Sequence, residues 1–182
     1  MNETDDLTLV RQCLEGNSKA FETLVNKYQK PIFNAAYRMT REYDDSSEIT
    51  QMVFVKAYEK LELYNSNFKF FSWLYRIAVN ESLNFLKQRR QNEELDASFI
   101  SENETPDQAL YESEMSSNIQ KALMQIDMNY RLVIILKHFQ EFSYKEVSII
   151  LDIPEKTVKS RLFTARQMLK DVLIKNGIVA ND

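Results

Sequence analysis

Ser143-Tyr-Lys-Glu-Val-Ser-Ile-Ile-Leu-Asp-Ile-Pro-Glu-Lys-Thr-Val-Lys-Ser-Arg-Leu162 is the stretch whose pattern decides the fold. Ser143 with Glu146 three residues later is a capping-box pattern, opening a short helix with Val147, Ile150 and Leu151 turned inward. Asp152-Ile153-Pro154 breaks that helix, and Pro154 suits the first turn of the next, where its missing N–H is not needed. Two short helices joined by so tight a turn predict a helix-turn-helix. In the second helix Val158, Leu162, Ala165, Leu169 and Val172 recur at helical spacing and form the core face. The opposite face carries Lys156, Lys159, Ser160, Phe163, Thr164 and Gln167. Cations, a hydroxyl, an amide and an aromatic ring suit phosphates, base edges and a thymine methyl. The simpler alternative is a solvated charged face with Phe163 against a neighbouring domain. An isolated Phe opposite the core is poorly explained by folding, which favours a nucleic-acid face.

Outward from this stretch the composition agrees with an all-α fold. The 182 residues include two glycines, Gly16 and Gly177, and three prolines. Sheets and phosphate-cradling loops both lean on Gly-rich turns, so this scarcity points to helices and excludes the glycine-rich nucleotide fingerprints. Apolar residues at 44% are enough for real cores. Cys13 and His138 are the single cysteine and the single histidine, so no intrachain disulfide and no Cys/His zinc cluster is expected. Cys13 reads as a buried inert thiol and His138 as a structural or surface residue. No stretch approaches the ~20 apolar residues of a membrane span, and the acidic N-terminus is unlike a signal peptide, so a cytoplasmic protein is expected. No cofactor or metal is called for.

The net charge of −4 hides an uneven distribution. Residues 91–120 hold eight acidic side chains and no Lys or Arg; elsewhere the 23 basic side chains face 19 of the 27 acidic ones. Within the remainder, 69–90 has five basic residues and one acidic, and 155–175 has six and two. Two basic stretches separated by an acidic spacer are a candidate nucleic-acid footprint.

Helices are predicted over 5–15 and 18–41, with Pro31 as a kink or restart. A third is expected from a capping box at Asp45-Ser-Ser-Glu48 to about Leu63, and a fourth from about Phe70 to Arg90 after a polar loop at Tyr64–Lys69. The acidic, non-periodic segment 91–107 reads as a flexible linker. Short helices resume from about Asp107 and run to about Lys175, giving four helices, a linker and four more. The expected domains are 1–90 and 108–182. On the fourth helix Leu74, Ile77, Ala78, Glu81 and Phe85 make an imperfect apolar face. The other side bears Arg76, Asn80, Lys87 and Arg90, flanked by Trp73 and Asn84. Basic groups beside aromatics suit single-stranded nucleic acid, and an aromatic core with a basic rim explains the same pattern.

At this point the residues resemble a known family. Phe71-Ser-Trp-Leu-Tyr-Arg-Ile-Ala-Val-Asn80, continuing to Leu86-Lys-Gln-Arg-Arg90, resembles the promoter −10 helix of extracytoplasmic-function (ECF) RNA polymerase sigma factors. Ser143-Tyr-Lys-Glu-Val147, Thr157-Val-Lys-Ser-Arg-Leu162 and Ala165-Arg166 resemble the family's −35-reading helix-turn-helix. Asp45-Ser-Ser-Glu-Ile-Thr-Gln-Met-Val-Phe-Val-Lys-Ala-Tyr58 is similar to its polymerase-binding helix. The resemblance implies that Asp45, Glu48, Gln51 and Val55 bind the clamp coiled coil of core RNA polymerase. It implies that Tyr64, Lys69, Trp73, Arg76, Asn80, Asn84, Lys87 and Arg90 serve the −10 element. The loop Tyr64–Lys69, with Asn80 and Asn84, would hold a base flipped from the melted strand. Lys156, Lys159, Ser160, Arg161, Phe163 and Arg166 would meet the −35 duplex. The acidic linker would thread the polymerase channels, and an anti-sigma partner would mask these surfaces.

Met52 stands where the family's clamp helix usually carries an acid, Ser46 and Ser47 also depart from it, and Thr164 replaces a common basic residue; Thr164 is given no −35 role. These departures leave a rival open, a sigma-like module that captures an anti-sigma protein without reading DNA. An enzyme is not expected. Asp44 and Asp45 are better explained as helix-start residues than as an acid pair, and no motif recruits His138.

Overall fold

The computed structural model describes residues 3–95 and 117–178, and among these the regular structure is helical throughout. The first domain comprises α1 (Glu3–Leu14), α2 (Ser18–Thr40), α3 (Tyr43–Glu59) and α4 (Phe70–Leu95), with a 3₁₀ turn at Leu61–Leu63. The second comprises α5 (Ser117–Met124), α6 (Met128–Ile134) running into a π turn at Ile135–Phe139, α7 (Tyr144–Leu151) and α8 (Glu155–Lys175).

Local chemistry explains most of the boundaries. Asn17 caps α2 by accepting from the Lys19 amide, and α2 ends at Arg41 in the left-handed region (φ 62°). Pro31 lies inside α2 without ending it. The capping box at Ser143 forms in both directions, with Ser143 N donating to Glu146 Oε2 at 2.8 Å and Glu146 N to Ser143 Oγ at 3.2 Å. Three expectations need correction. Helix α3 starts at Tyr43 after Glu42, which makes no side-chain cap, and it ends at Glu59. Asp45 lies within its first turn and accepts from Arg89 Nη1 at 2.5 Å, so a partner on α4 replaces the capping role. Helix α4 continues past Arg90 to Leu95, because Gln91-Asn-Glu-Glu-Leu95 contains no breaker, so part of the expected linker is helix. The rest of that linker and the expected start near Asp107 lie outside the described residues. Pro154 stands one place earlier than expected, as the N-cap of α8.

The core of the first domain joins Leu24, Tyr28, Ile32, Ile49, Val53, Leu74 and Ala78, all at or near zero exposure. Glu81, the flaw in the apolar face of α4, is buried and paired with Lys56 Nζ of α3 at 2.5 Å. That pairing satisfies a carboxylate that burial would otherwise penalise. The second core is built from Leu123, Val133, Leu136, Val147, Ile150, Val158 and Leu162.

The two domains meet. Phe142 packs on Phe71 and Tyr75 with ring centroids 5.1 and 5.0 Å apart, and Tyr75 Oη donates to Gln140 Oε1 at 2.5 Å. Gln120 Nε2 donates to the Tyr37 carbonyl at 3.1 Å. Arg131 is buried and fans its guanidinium onto the carbonyls of Met39, Met124 and Ile126, each at 2.9 Å. Arg131→Ala strands those acceptors, and bonds to a charged donor are the stronger kind. Urea unfolding should show a loss of about 3 kcal/mol. A change within about 0.5 kcal/mol, as for an ordinary surface substitution, would show that this fan is dispensable.

Candidate nucleic-acid interface

Helix α3 separates its residues by face. Ile49, Val53, Phe54 and Ala57 are buried, whereas Glu48, Gln51, Val55 and Tyr58 stand exposed at spacings of three and four. Val55 is 57% exposed and Tyr58 60% exposed, an apolar strip that the domain core does not require. The expected Glu48, Gln51 and Val55 therefore share one surface; Asp45 is turned toward α4 by Arg89. Met52 is half-buried and lines a cavity with Lys56, Glu81, Asn84, Phe85, Lys87, Gln88 and Gln91.

Along α4, Trp73, Arg76, Asn80, Asn84 and Lys87 follow one another at helical spacing, and all but Trp73 are exposed. Arg90 is exposed one turn further and lines a separate groove with Met39, Met124 and Arg131. Trp73 is half-buried against Tyr64 and Phe70, with centroids 5.4 and 5.5 Å away. The loop before α4 is pinned from within. Tyr64 Oη donates to the Phe68 carbonyl at 2.5 Å, and the Asn67 amide donates to Asn65 Oδ1 at 2.9 Å. The result is a concave pocket of about 150 Å³, lined by Asp6, Leu7, Tyr64 and the segment Ser66–Phe70. Asn84 lines the other cavity and Asn80 is exposed on the helix, so the loop residues and the two asparagines form neighbouring features and not one pocket.

The helix-turn-helix is made by α7 and α8. Asp152 takes a left-handed conformation (φ 54°), and Ser148 Oγ donates to the Ile153 carbonyl at 2.6 Å to hold the turn. Val158, Leu162 and Ala165 are buried, which leaves Lys156, Lys159, Ser160, Phe163 and Arg166 exposed and Arg161 half-exposed. Leu169 and Val172, expected on the core face, are half-buried. Phe163 is 66% exposed, and among the described residues no neighbouring domain covers it, which removes the simpler account of that ring. Lys159 Nζ pairs with Glu155 at 2.8 Å, an intrahelical contact of the kind that water and salt readily exchange.

The closed arrangement sets α4 and its preceding loop against α7, while the exposed face of α8 stays open. Lys69 Nζ lies 3.3 Å from Glu146 and Arg76 lies 3.4 Å from Asp152. Burial alone would raise the Glu146 carboxyl; bonds from Ser143 and the Lys69 charge outweigh it and hold the group below its ordinary value. Asp6, Arg131, Gln140 and Phe142 were not singled out from sequence. Each has a partner between 21 and 92 residues away, although Arg131 also serves the nearby Met124 and Ile126 carbonyls, and no local pattern marks them. No group of His, Cys, Asp and Glu among the described residues is arranged to hold a metal ion.

These features, a bundle with an exposed α3 strip and a basic α4, followed by a helix-turn-helix, define a two-domain promoter-reading protein. Comparison with known proteins agrees. The family models for Sigma-70 region 2 and Sigma-70, region 4 match residues 24–92 and 116–169. The chain is 31% identical to the ECF RNA polymerase sigma factor SigW of Bacillus subtilis, over 90% of this chain and 94% of that one. Its fold resembles CnrH in complex with the cytosolic domain of CnrY (TM-score 0.73, 24% identity, 94% of this chain and 98% of that one). It also resembles the sigma factor RpoE in complex with the anti-sigma factor NepR from Bartonella quintana (TM-score 0.71, 24% identity, 85% and 97%). The chain belongs to the ECF family of RNA polymerase sigma factors. It is an alternative sigma factor for transcription initiation, acting by binding and not as an enzyme. No helix among the described residues is long and apolar enough to cross a membrane.

His138 reports on the second domain. Arg166 Nε donates to its Nε2 at 3.1 Å, and burial, then the charges of Arg166 and Lys137, hold the imidazole below its ordinary value of 6.5. The folded form favours neutral His138, so its contribution is present above 6.5 and is lost as the pH falls through the lowered folded value. Protonation also ends the bond from Arg166. Since His138 is the only histidine, proton NMR of the untagged chain should show one imidazole titrating below 6.5, and Arg166→Gln should raise its midpoint. An unchanged midpoint would exclude the contact.

Proposed function

We propose that the chain docks on core RNA polymerase through the exposed strip of α3, reads the −35 duplex with α8, and traps melted −10 bases with α4 and the preceding loop. It does so in the cytoplasm, where it meets both. The domains are 1–95 and the helices from Ser117 onward. The observation that carries this reading is Phe163, exposed on α8 among Lys156, Lys159 and Ser160 while Val158, Leu162 and Ala165 of the same helix are buried in the core. Phosphate contacts from Lys156, Lys159 and Arg161 fix register, and Ser160 and Phe163 meet base edges. On α4, Arg76, Lys87 and Arg90 follow the strand backbone and Trp73 supplies a stacking face. Gln51 and Val55 are central to the α3 strip, with Glu48 beside them.

In run-off transcription with core polymerase and genomic fragments from the same organism, the chain should direct initiation at discrete sites. Gln51→Ala should weaken core binding, and Lys159→Glu should abolish initiation while leaving core binding intact. An active core that neither starts at such sites nor co-elutes with the chain would sink this reading. A chain that binds a regulatory partner yet ignores DNA would be the decoy instead.

The closed arrangement has a consequence for this cycle. Elements centred ~25 base pairs apart are separated by roughly 85 Å of duplex at 3.4 Å per pair. A molecule whose Arg76 and Asp152 are 3.4 Å apart cannot read both. Polymerase binding must therefore part α4 from α7, and a partner that favours the closed form would act as an anti-sigma factor. Energy transfer between dyes at Glu62 and Lys170, both exposed, should fall when core polymerase and promoter are added. Unchanged transfer would mean that the domains do not separate.

A further inference from the structure

Asp6 is an unexpected lining residue for a pocket facing nucleic acid. It lies on α1, its side chain is 12% exposed, and it accepts hydrogen bonds from Lys27 Nζ and from Tyr28 Oη. Each carboxylate oxygen takes one of these donors and can accept a further one, and Asp6 is among the residues that line the pocket. Its charge is felt there: burial first, and Asp6 second, raise the Tyr64 phenol. The pocket volume of about 150 Å³ is several times the ~10–15 Å³ that a single water needs on the same measure, so it has room for more than one solvent molecule. Phe68, 43% exposed at the rim, offers a stacking face, and the pinned loop presents it in advance.

We propose that Asp6 is a specificity-determining acceptor of the loop pocket, which selects an extruded base carrying an exocyclic amine and rejects thymine. This rests on the reading that the loop takes a base from the melted strand. A carboxylate accepts from the amine of cytosine, adenine or guanine. Thymine presents the O4 carbonyl where cytosine and adenine carry the amine, so two acceptors face each other there, and its one donor, N3–H, is displaced by a ring position. Asp6 keeps its bonds from Lys27 and Tyr28 in either case, so the group left unpaired by the wrong base is thymine O4, and an unpaired acceptor in such a site discriminates strongly.

The test uses holoenzyme, the full chain with core polymerase, and labelled single strands carrying its own −10 segment. An abasic scan first locates the position whose base contributes most to binding. At that position adenine is compared with purine, and cytosine with pyrimidin-2-one; each analogue deletes the amine and leaves the ring nitrogens unchanged. Wild-type holoenzyme should bind the amine-bearing base roughly tenfold more tightly. Asp6→Ala should bring that ratio to within about twofold. Equal binding of base and analogue by the wild type overturns the proposal, and that arm does not depend on how well Asp6→Ala folds. A ratio that survives in Asp6→Ala overturns it as well, by assigning the amine to another acceptor. If the abasic scan is flat, no base is captured, and both the pocket reading and this inference fall together.

Discussion

The packing of Phe142 against Phe71 and Tyr75 is the contact on which the arrangement of this chain turns. It joins two apolar cores into one continuous cluster. Tyr75 is central because it is shared: its ring is fully buried, and its hydroxyl lies 2.9 Å from the Pro31 carbonyl as well as beside Gln140. Burial drives its phenol far above the ordinary range, so the group stays neutral and serves as a hydrogen-bonding pivot. Aromatic pairs of this geometry contribute about 1 kcal/mol each beyond area burial. The junction is therefore firm enough to favour a closed form and small enough for a large partner to undo.

Around that apolar centre the polar contacts are of two kinds. Arg131 and Gln120 donate to backbone carbonyls at the end of α2, Arg131 to Met39 and Gln120 to Tyr37, which also accepts from the Arg41 amide. Lys69–Glu146 and Arg76–Asp152 lie toward the surface, where ion pairs are weak and screened by salt. The deep contacts orient the domains, and the shallow ones occupy cations that DNA phosphates can claim. Closure thus engages Lys69 and Arg76 in contacts that are easily exchanged, while the α3 strip and Lys156, Lys159 and Phe163 of α8 stay exposed.

The departures noted in the sequence acquire physical settings. Met52 is half-buried in a cavity beside Lys56 and Glu81, so its replacement of an acid leaves the pair between half-buried Lys56 and buried Glu81 without a competing charge. Ser46 is buried, and its hydroxyl donates to the Glu42 carbonyl and contacts Thr40, tying the start of α3 to the end of α2. Thr164 is half-exposed on α8.

Legibility differed by the range of the interaction. The helix-turn-helix, the Ser143–Glu146 box and the buried faces of α4 and α8 were readable because caps and helical periodicity act within a few residues. The start of α3 was misread because Asp45-Ser-Ser-Glu48 imitates a capping box, and nothing local reveals that Arg89, 44 residues on, takes the Asp45 carboxylate. The end of α4 was placed early because acidic residues after Arg90 look like linker, although none of them breaks a helix. By itself, then, the sequence determined the helical class, the two basic helices and the surface that each presents. Tertiary structure alone decided that Asp6 lines the loop pocket, that Arg131 serves three carbonyls, and that α4 and α7 face each other. Those facts depend on side chains far apart in the chain meeting in space, and the local pattern of a sequence carries no record of such distances.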